Sequence, residues 1–415
     1  MRVKRRYQVL ALLCVLGVIL YLDRVCIAIA LPAIQKELEL EPQHLGWISL
    51  AFSLAYAVFE IPTGHLGDRY GTRKTLMRIT IAWSVFTALT GATIGLVSLL
   101  VVRFLFGAGE AGAWPNVSTV VSKWFPAESR GRAMGVFGAA TAVGGGLSPF
   151  LVIPIQQAYG WRASFFVFAA LGVAWAIVWF AWFRDDPAEM GTPREEIDEV
   201  GEVPIRAAHG IAWRVALRQP SIWGLMGAGF SNIFAAFFSI FWLPTFLAKG
   251  RNFTESEVKW SAVTWVAAVI GNTAGGWISD GAVKKLGRGA GRRILGMGCM
   301  LLVGVMLALV ANTGDKPSII ALLAVAGLAW GVIQANVFAT CIDVGGLHVG
   351  TVAGTMNTAG QLGGALSAVS FGYLVKLAGN YDLPVLVMAA VISVGAMSWM
   401  WIDASKPLVA HEQAG

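Results

Sequence analysis

The chain has 415 residues, 56% of them hydrophobic and only 13% charged, with a formal net charge of +7. That is about half the charged fraction of ~25% usual in a soluble domain, too little to coat a soluble protein of this size. The basic excess would suit a nucleic-acid binder, but the Lys and Arg residues collect in alternate loops instead of one patch, which argues against that class.

Apolar runs of about 20 residues, each enough to cross a hydrocarbon core as a helix, recur along nearly the whole length. Backbone groups in lipid must bond internally, so these runs are expected as helices. They fall at 7–33, 45–66, 75–97, 99–121, 131–156, 163–183, 219–247, 259–280, 293–312, 318–341, 350–375 and 382–402. The N-terminal MRVKRRYQ resembles a signal peptide, but the following segment holds Asp23-Arg24 and lacks a convincing cleavage site, so it reads as the first helix. The long polar stretch 184–218, with Asp185-Asp186-Pro187 and Glu195-Glu196, reads as a linker between six-helix halves at 1–183 and 219–402, and 403–415 as a tail.

The expected fold is therefore an all-α membrane protein of twelve transmembrane helices in two pseudo-symmetric six-helix bundles. Of the 31 Lys and Arg, 22 fall on the side that holds both termini and the linker, and seven on the other; Arg24 and Arg103 lie inside spans. That bias places both termini in the cytoplasm of a multi-pass protein of the cell inner membrane. A faint repeat supports the halves. Pro32 and Pro244 are 212 residues apart, as are Asp68 and Asp280 in GHLGDRYGTRK and GWISDGAVKK. One offset for two separate features points to parallel repeats about the membrane normal, with rocking of the halves as the mode of alternating access.

Asp23, Arg24, Glu60, Arg103 and Glu110 all lie within apolar spans. Each would cost roughly 2.5–3.5 kcal/mol unpaired at the centre of a helix, so they are expected to face a wet cavity or one another. Arg103 and Glu110 are two turns apart on one helix face, whereas the adjacent Asp23 and Arg24 cannot point the same way. Such a set suits a competition: a substrate carboxylate takes over an Arg, whose planar fork grips it, and the carboxyl so displaced binds a proton. No metal is needed for this.

Other signals are set aside. GAGEAG at Gly107–Gly112 matches GxGxxG but lies inside a membrane helix, where small residues serve packing. No GxxxxGK[ST] motif appears. Cys14, Cys26, Cys299 and Cys341 are scattered singly, and His44, His65, His209, His348 and His411 are isolated, so neither disulfide nor metal site is expected. No nucleophile–base pair suggests an enzyme.

GHLGDRYGTRK resembles the loop signature of major facilitator superfamily transporters between helices 2 and 3. With YLDR, FEIPTG, RFLFGAGEAGAWPN, KWFPAESRGRAMG, GWRASFFVF, WLPTFL and GTVAGTMNTAGQLGGALS, the chain resembles that superfamily's anion:cation symporters, which include bacterial hexuronate, aldonate and glucarate permeases. The resemblance implies Gly64 and Gly67 as packing positions, with Asp68 and Arg73 as a cytoplasmic charge clasp and Asp280 its counterpart in the second half. It implies Asp23 and Glu110 as the protonated carboxyls, Arg24 as the substrate's partner, and Arg103 as the group that holds Glu110 charged. Tyr56 and Asn357 match sugar-acid contacts, and Glu60 reads as a gate contact. Some sugar-acid members carry a Gln on helix 7 where Gly229 stands here, so Gln334, Asn336 and Gln361 are candidate replacements. The expected function is proton-coupled symport of a small organic anion, a sugar acid such as a hexuronate or aldonate, by a monomer in the lipid bilayer with no cofactor and no nucleic-acid partner. An anion exchanger without net proton flux and a non-transporting sensor are the alternatives.

Overall fold

The computed structural model describes residues 4–200 and 216–408, and within them it is built from helices and the turns between them. The middle of the expected linker with His209, and the end of the tail with His411, lie outside the described residues. In chain order the helices are α1 (Arg5–Glu37), α2 (Pro42–Tyr70), α3 (Thr72–Gly91), α4 (Leu96–Glu110), α5 (Ala113–Trp124), α6 (Arg130–Tyr159) and α7 (Trp161–Trp182). After the short α8 (Arg194–Val200) come α9 (Pro220–Phe237), α10 (Ala262–Asn312), α11 (Lys316–Gly345), α12 (Val349–Ala378) and α13 (Asp382–Ala396).

Three departures from the expected spans have local causes. The fourth span is broken: α4 ends at Glu110 and α5 starts at Ala113, because Gly112 adopts a left-handed conformation at φ 87°. A Cβ there would overlap the Thr63 side chain of α2, so glycine is required twice over. Beyond Phe237 the seventh span continues as π-helical turns at Phe238–Trp242 and Phe246–Gly250, either side of Pro244, which has no N–H to give to an α-helical ladder. The eighth and ninth spans run together as α10, with a non-helical break at Gly287 (φ 80°) where the turn was expected.

Eight segments of the described residues are long and apolar enough to cross a membrane. α3, α9 and α12 are not among them. α3 buries Thr72, Thr75, Thr80, Ser84, Thr87 and Thr90, and these hydroxyls lower its hydropathy.

The chain divides into two compact units. Unit 1 comprises Met1–Ala127, Phe137–Gly210 and Leu347–Gly354; unit 2 comprises Glu128–Val136, Ile211–Gly346 and Thr355–Gly415. In unit 1, a stack of Trp175, Trp179 and Phe183, with centroid separations of 5.1 and 3.9 Å, ties α7 to its neighbours. The Trp175 indole N–H donates to Leu12 O of α1 at 2.9 Å, and that of Trp179 to Arg73 O of α3 at 3.2 Å. Asp185 caps α3, accepting from the Thr72 N–H and hydroxyl at 2.7 Å and from the Arg73 N–H at 3.0 Å. Glu196 of α8 likewise accepts from the first amides of α1, at Arg5 (3.2 Å) and Arg6 (3.0 Å). Lys4 and Arg6 both pair with Glu199 at 2.7 Å and hold its carboxylate below the usual range.

The repeated aspartates share one role. Asp68 accepts from the amides of Gly350 and Thr351 and from the Thr351 hydroxyl, each at 2.8 Å, in the first turn of α12 within unit 1. Asp280 accepts from the amides of Gly131 (3.0 Å) and Arg132 (2.9 Å) in the first turn of α6 within unit 2. Each fills donors a helix start leaves open and sits at the positive end of its dipole. Gly64 lets the α12 turn approach, since a Cβ on it would overlap Gly350 O, and a Cβ on Gly67 would overlap the Asn116 amide. The expected Asp68–Arg73 clasp does not form. Arg73 donates instead to Phe180 O and lies over the Phe180 ring at 4.4 Å, while the Asp68 oxygens are taken up by the amides of α12.

Unit 2 holds a buried ion network that the sequence did not signal. Arg292, fully buried, donates to Asp343 at 3.1 Å and lies 3.6 Å from Asp280. Arg130 donates to the other Asp343 oxygen at 3.0 Å. Asn336 donates to Arg292 O at 2.9 Å and accepts from Ser279 at 2.6 Å, which makes it part of this network.

Three outcomes follow. Arg292→Met, which leaves two carboxylates under-compensated, should destabilise the protein by about 3–5 kcal/mol in chemical unfolding. Gly112→Ala should cost about 1–3 kcal/mol, whereas Gly298→Ala, whose Cβ would meet nothing within 4 Å, should cost nothing. Because the Glu199 value is depressed, its pairing contributes above the ordinary carboxylate value and is lost as pH falls through the folded one. Protection of the amides at the start of α1, taken relative to the intrinsic exchange rate at each pH, should therefore fall in acid and stay flat around neutral pH.

Candidate functional site

The charges expected inside spans 1, 2 and 4 come together in unit 1. Arg24 donates to Glu110, and this pair joins α1 to the last residue of α4. The two partners differ in access: the Arg24 side chain is 24% exposed and that of Glu110 only 1%. The guanidinium is therefore the more accessible of the two groups. Glu110 is the last residue of α4 because the left-handed Gly112 interrupts the helix just beyond it.

Aromatic rings line the guanidinium. The Arg24 carbon stands 5.4 Å from the Tyr21 ring centroid, 5.3 Å from Phe52 and 5.1 Å from Tyr56. Ring faces attract a cation without neutralising it, so Arg24 keeps its charge while losing much of its water. Tyr56 is itself 1% exposed. Phe52 lies one turn before Tyr56 on α2, and that i, i+4 spacing was the signal that could have revealed it.

Arg103 does not touch Glu110. It is 4% exposed and lies over Phe106 at 4.3 Å and Phe52 at 5.2 Å. The contact partner of Glu110 is Arg24, and Arg103 acts on Glu110 only through space. Phe52 thus stands between two guanidiniums. A Cβ on Gly107 would overlap Phe52 O, so the glycine sets how closely α2 and α4 approach.

Asp23 is 2% exposed and does not join the Arg24–Glu110 pair, as adjacency on one helix requires. Trp83 of α3 is the polar group beside it, with Arg103 and Glu110 acting from α4. Glu60 is fully buried on α2, with its carboxylate in electrostatic reach of Tyr56.

The remaining candidates lie in unit 2. Gln334 of α11 accepts from the Asn232 amide of α9 at 2.9 Å, a pairing not foreseen from the sequence. Asn357 is buried on α12, and Gln361 lies one turn further along, half-buried. Gly229 packs against α12: a Cβ on it would come 2.6 Å from Met356 O and 2.9 Å from Met356 Sδ. No polar side chain has room at that position. Among the described residues no cluster of His, Cys, Asp and Glu could hold a metal ion.

Comparison with known proteins fits this arrangement. The Major Facilitator Superfamily profile matches residues 13–368. A probable sulfoacetate transporter of Cupriavidus necator is 31% identical over 413 residues, covering 97% of this chain and 95% of that protein. The hexuronate transporter of Bacillus subtilis is 32% identical over 392 residues, covering 91% of this chain and 90% of that protein. Among solved structures, the human organic anion transporter TETRAN superposes with a TM-score of 0.76 at 15% identity, covering 96% of this chain and 100% of that one. The chain belongs to the Major Facilitator Superfamily, a family of membrane transporters and not of enzymes.

Proposed function

We propose that this transporter is a proton-coupled symporter of the cell inner membrane that imports a small carboxylate of the sugar-acid class, a hexuronate or an aldonate. The Arg24–Glu110 pair carries the reading. A substrate carboxylate that docks on the half-exposed Arg24 takes the guanidinium from Glu110. Glu110, buried and without its partner, then binds a proton, because isolated charge is costly at that depth. Anion and proton thus enter together, and release of the anion restores the ion pair and expels the proton. Asp23 supplies a second protonatable carboxyl. Tyr56 reaches the substrate beside Arg24, and the Gln334–Asn232 amide pair, Asn357 and Gln361 supply donors and acceptors suited to hydroxyls.

Protons are the coupling ion in this scheme, no cofactor takes part, and the chain works as a monomer in the bilayer. The halves 1–183 and 219–402, joined through 184–218, are the parts that rock in such a cycle.

Gly229 favours a second substrate reading. Where a hydroxyl-reading side chain would stand, α9 is closed against α12, which suits a short anion without a hydroxylated chain. Sulfoacetate is such an anion, and the Cupriavidus relative is a probable transporter of it.

One experiment separates these readings. Purified protein in liposomes under an inward proton gradient is offered D-galactonate, D-glucuronate and sulfoacetate. The symport reading expects concentrative uptake abolished by a protonophore; uptake only against preloaded anion would establish exchange, and binding without flux a sensor. Glu110→Gln should abolish proton-driven accumulation yet retain anion counterflow. Arg24→Lys, which cannot grip a carboxylate bidentately, should slow both by about tenfold or more.

A further inference from the structure

α3 falls short of the apolar character of the other long helices of unit 1. One of its faces is buried against α4 and α7. The other carries Lys74, Arg78, Ile81, Val85 and Leu89, all exposed. Their spacing of i, i+4, i+7, i+11 and i+15 sets them in a single stripe along the helix. The stripe is cationic over its first turn and apolar beyond it.

The two cations lack a counterion in the protein. Among the described residues neither side chain makes a hydrogen bond or an ion pair, and α3 itself holds no Asp or Glu. The acidic groups nearest in sequence or contact to the start of α3 are engaged elsewhere. Asp68 is taken up by the first amides of α12, Asp185 by the amides of Thr72 and Arg73, and Asp186 by the amide of Ala188. Arg73, between the two turns of the chain, is turned away to Phe180 O of α7.

Depth makes the missing counterion costly. A helix of 20 residues rises about 30 Å, the thickness of the hydrocarbon core, so α3 crosses it with little length to spare. Arg78 then stands about 9 Å along the helix from its first residue. A cation that faces lipid there is costly unless its long side chain reaches back to a charged headgroup. Lys74 and Arg78 are one turn apart, with about 5–6 Å between the Cβ atoms of such a pair. That separation lets both reach one phosphate, which suits the planar fork of an Arg and the point charge of a Lys. The apolar part of the stripe continues from the cations toward the middle of the membrane, the direction that acyl chains take. A soluble anion would meet the cations and leave that part uncovered.

We propose that Lys74 and Arg78 hold the phosphate of an anionic phospholipid, in the leaflet at the Thr72 end of α3, with its acyl chains along Ile81, Val85 and Leu89. The lipid supplies the counter-charge that the protein does not, and it anchors a helix whose own apolar character is weak. This site is separate from Arg24 and Glu110 and does not depend on which anion is carried or on how transport is driven.

The test uses the full chain purified in a neutral detergent and titrated with phosphatidylglycerol or with phosphatidylcholine of the same acyl chains, with bound lipid counted by native mass spectrometry. Phosphatidylglycerol is expected to bind the wild type about tenfold more tightly, because each basic residue at an anionic headgroup adds to the attraction. The double variant Lys74→Gln/Arg78→Gln should erase that preference, whereas Lys284→Gln/Lys285→Gln, an exposed pair in unit 2, should keep it. Thermal unfolding of the same samples without lipid checks that both variants fold, and phosphatidylglycerol should raise the midpoint of the wild type more than that of the Lys74/Arg78 variant. An equal preference for phosphatidylglycerol in the wild type and in that variant would overturn the proposal. So would inorganic phosphate that protects the wild type, relative to that variant, as well as phosphatidylglycerol does, since the apolar stripe would then play no part.

Discussion

A charged side chain in the middle of a membrane helix is tolerated only when another group compensates it, and much of unit 1 can be understood from that constraint. Four such residues, Asp23, Arg24, Arg103 and Glu110, meet around one short ion pair between α1 and α4. The pair needs Glu110 at the end of a helix, which needs the left-handed turn at Gly112, which in turn needs glycine because Thr63 occupies the space a side chain would take. Phe52 and Phe106 lie against Arg103, and Arg24 is the guanidinium in contact with Glu110. A site of this kind is both stable and displaceable. The pair offsets the cost of burial, and in the proposed cycle an anion that replaces Glu110 at Arg24 leaves the net charge unchanged only once Glu110 is protonated.

The aspartates at 68 and 280 show a different use of charge. Each serves a helix start, α12 for Asp68 and α6 for Asp280, through amides that a neutral residue would leave open. The same offset of 212 residues that suggested a repeat therefore marks a repeated contact as well as a repeated sequence. Unit 2 adds Arg292 and Asp343 to its copy, so that Asp280 is held by a buried guanidinium as well as by amides.

The sequence showed most plainly what depends on local pattern. Long apolar runs located most of the helices, though not the break at Gly112 or the π-helical turns beyond Phe237, and the intramembrane charges named Asp23, Arg24, Arg103 and Glu110. What it concealed depends on which face meets which. Spacing put Arg103 and Glu110 on one face of a helix, but spacing cannot say that Arg24 of α1 is the guanidinium in contact with Glu110. The motif GHLGDRYGTRK suggested an Asp68–Arg73 clasp, yet Asp68 turns to distant amides and Arg73 to the α7 backbone. Asn336 looked like a substrate contact because it is polar in an apolar helix; Arg292, far away in sequence, explains it. The hydroxyls of α3 were the least legible, since buried Thr and Ser lower hydropathy without showing what they face.

The central claim is that an anion displaces Glu110 from Arg24 and that Glu110 then takes up a proton. Calorimetric titration of the purified protein with its transported anion, repeated in buffers of different ionisation enthalpy, reads that proton directly. Proton uptake from the buffer is expected on anion binding, lost in Glu110→Gln while binding itself persists. Anion binding by the wild type with no exchange of protons with the buffer would contradict it.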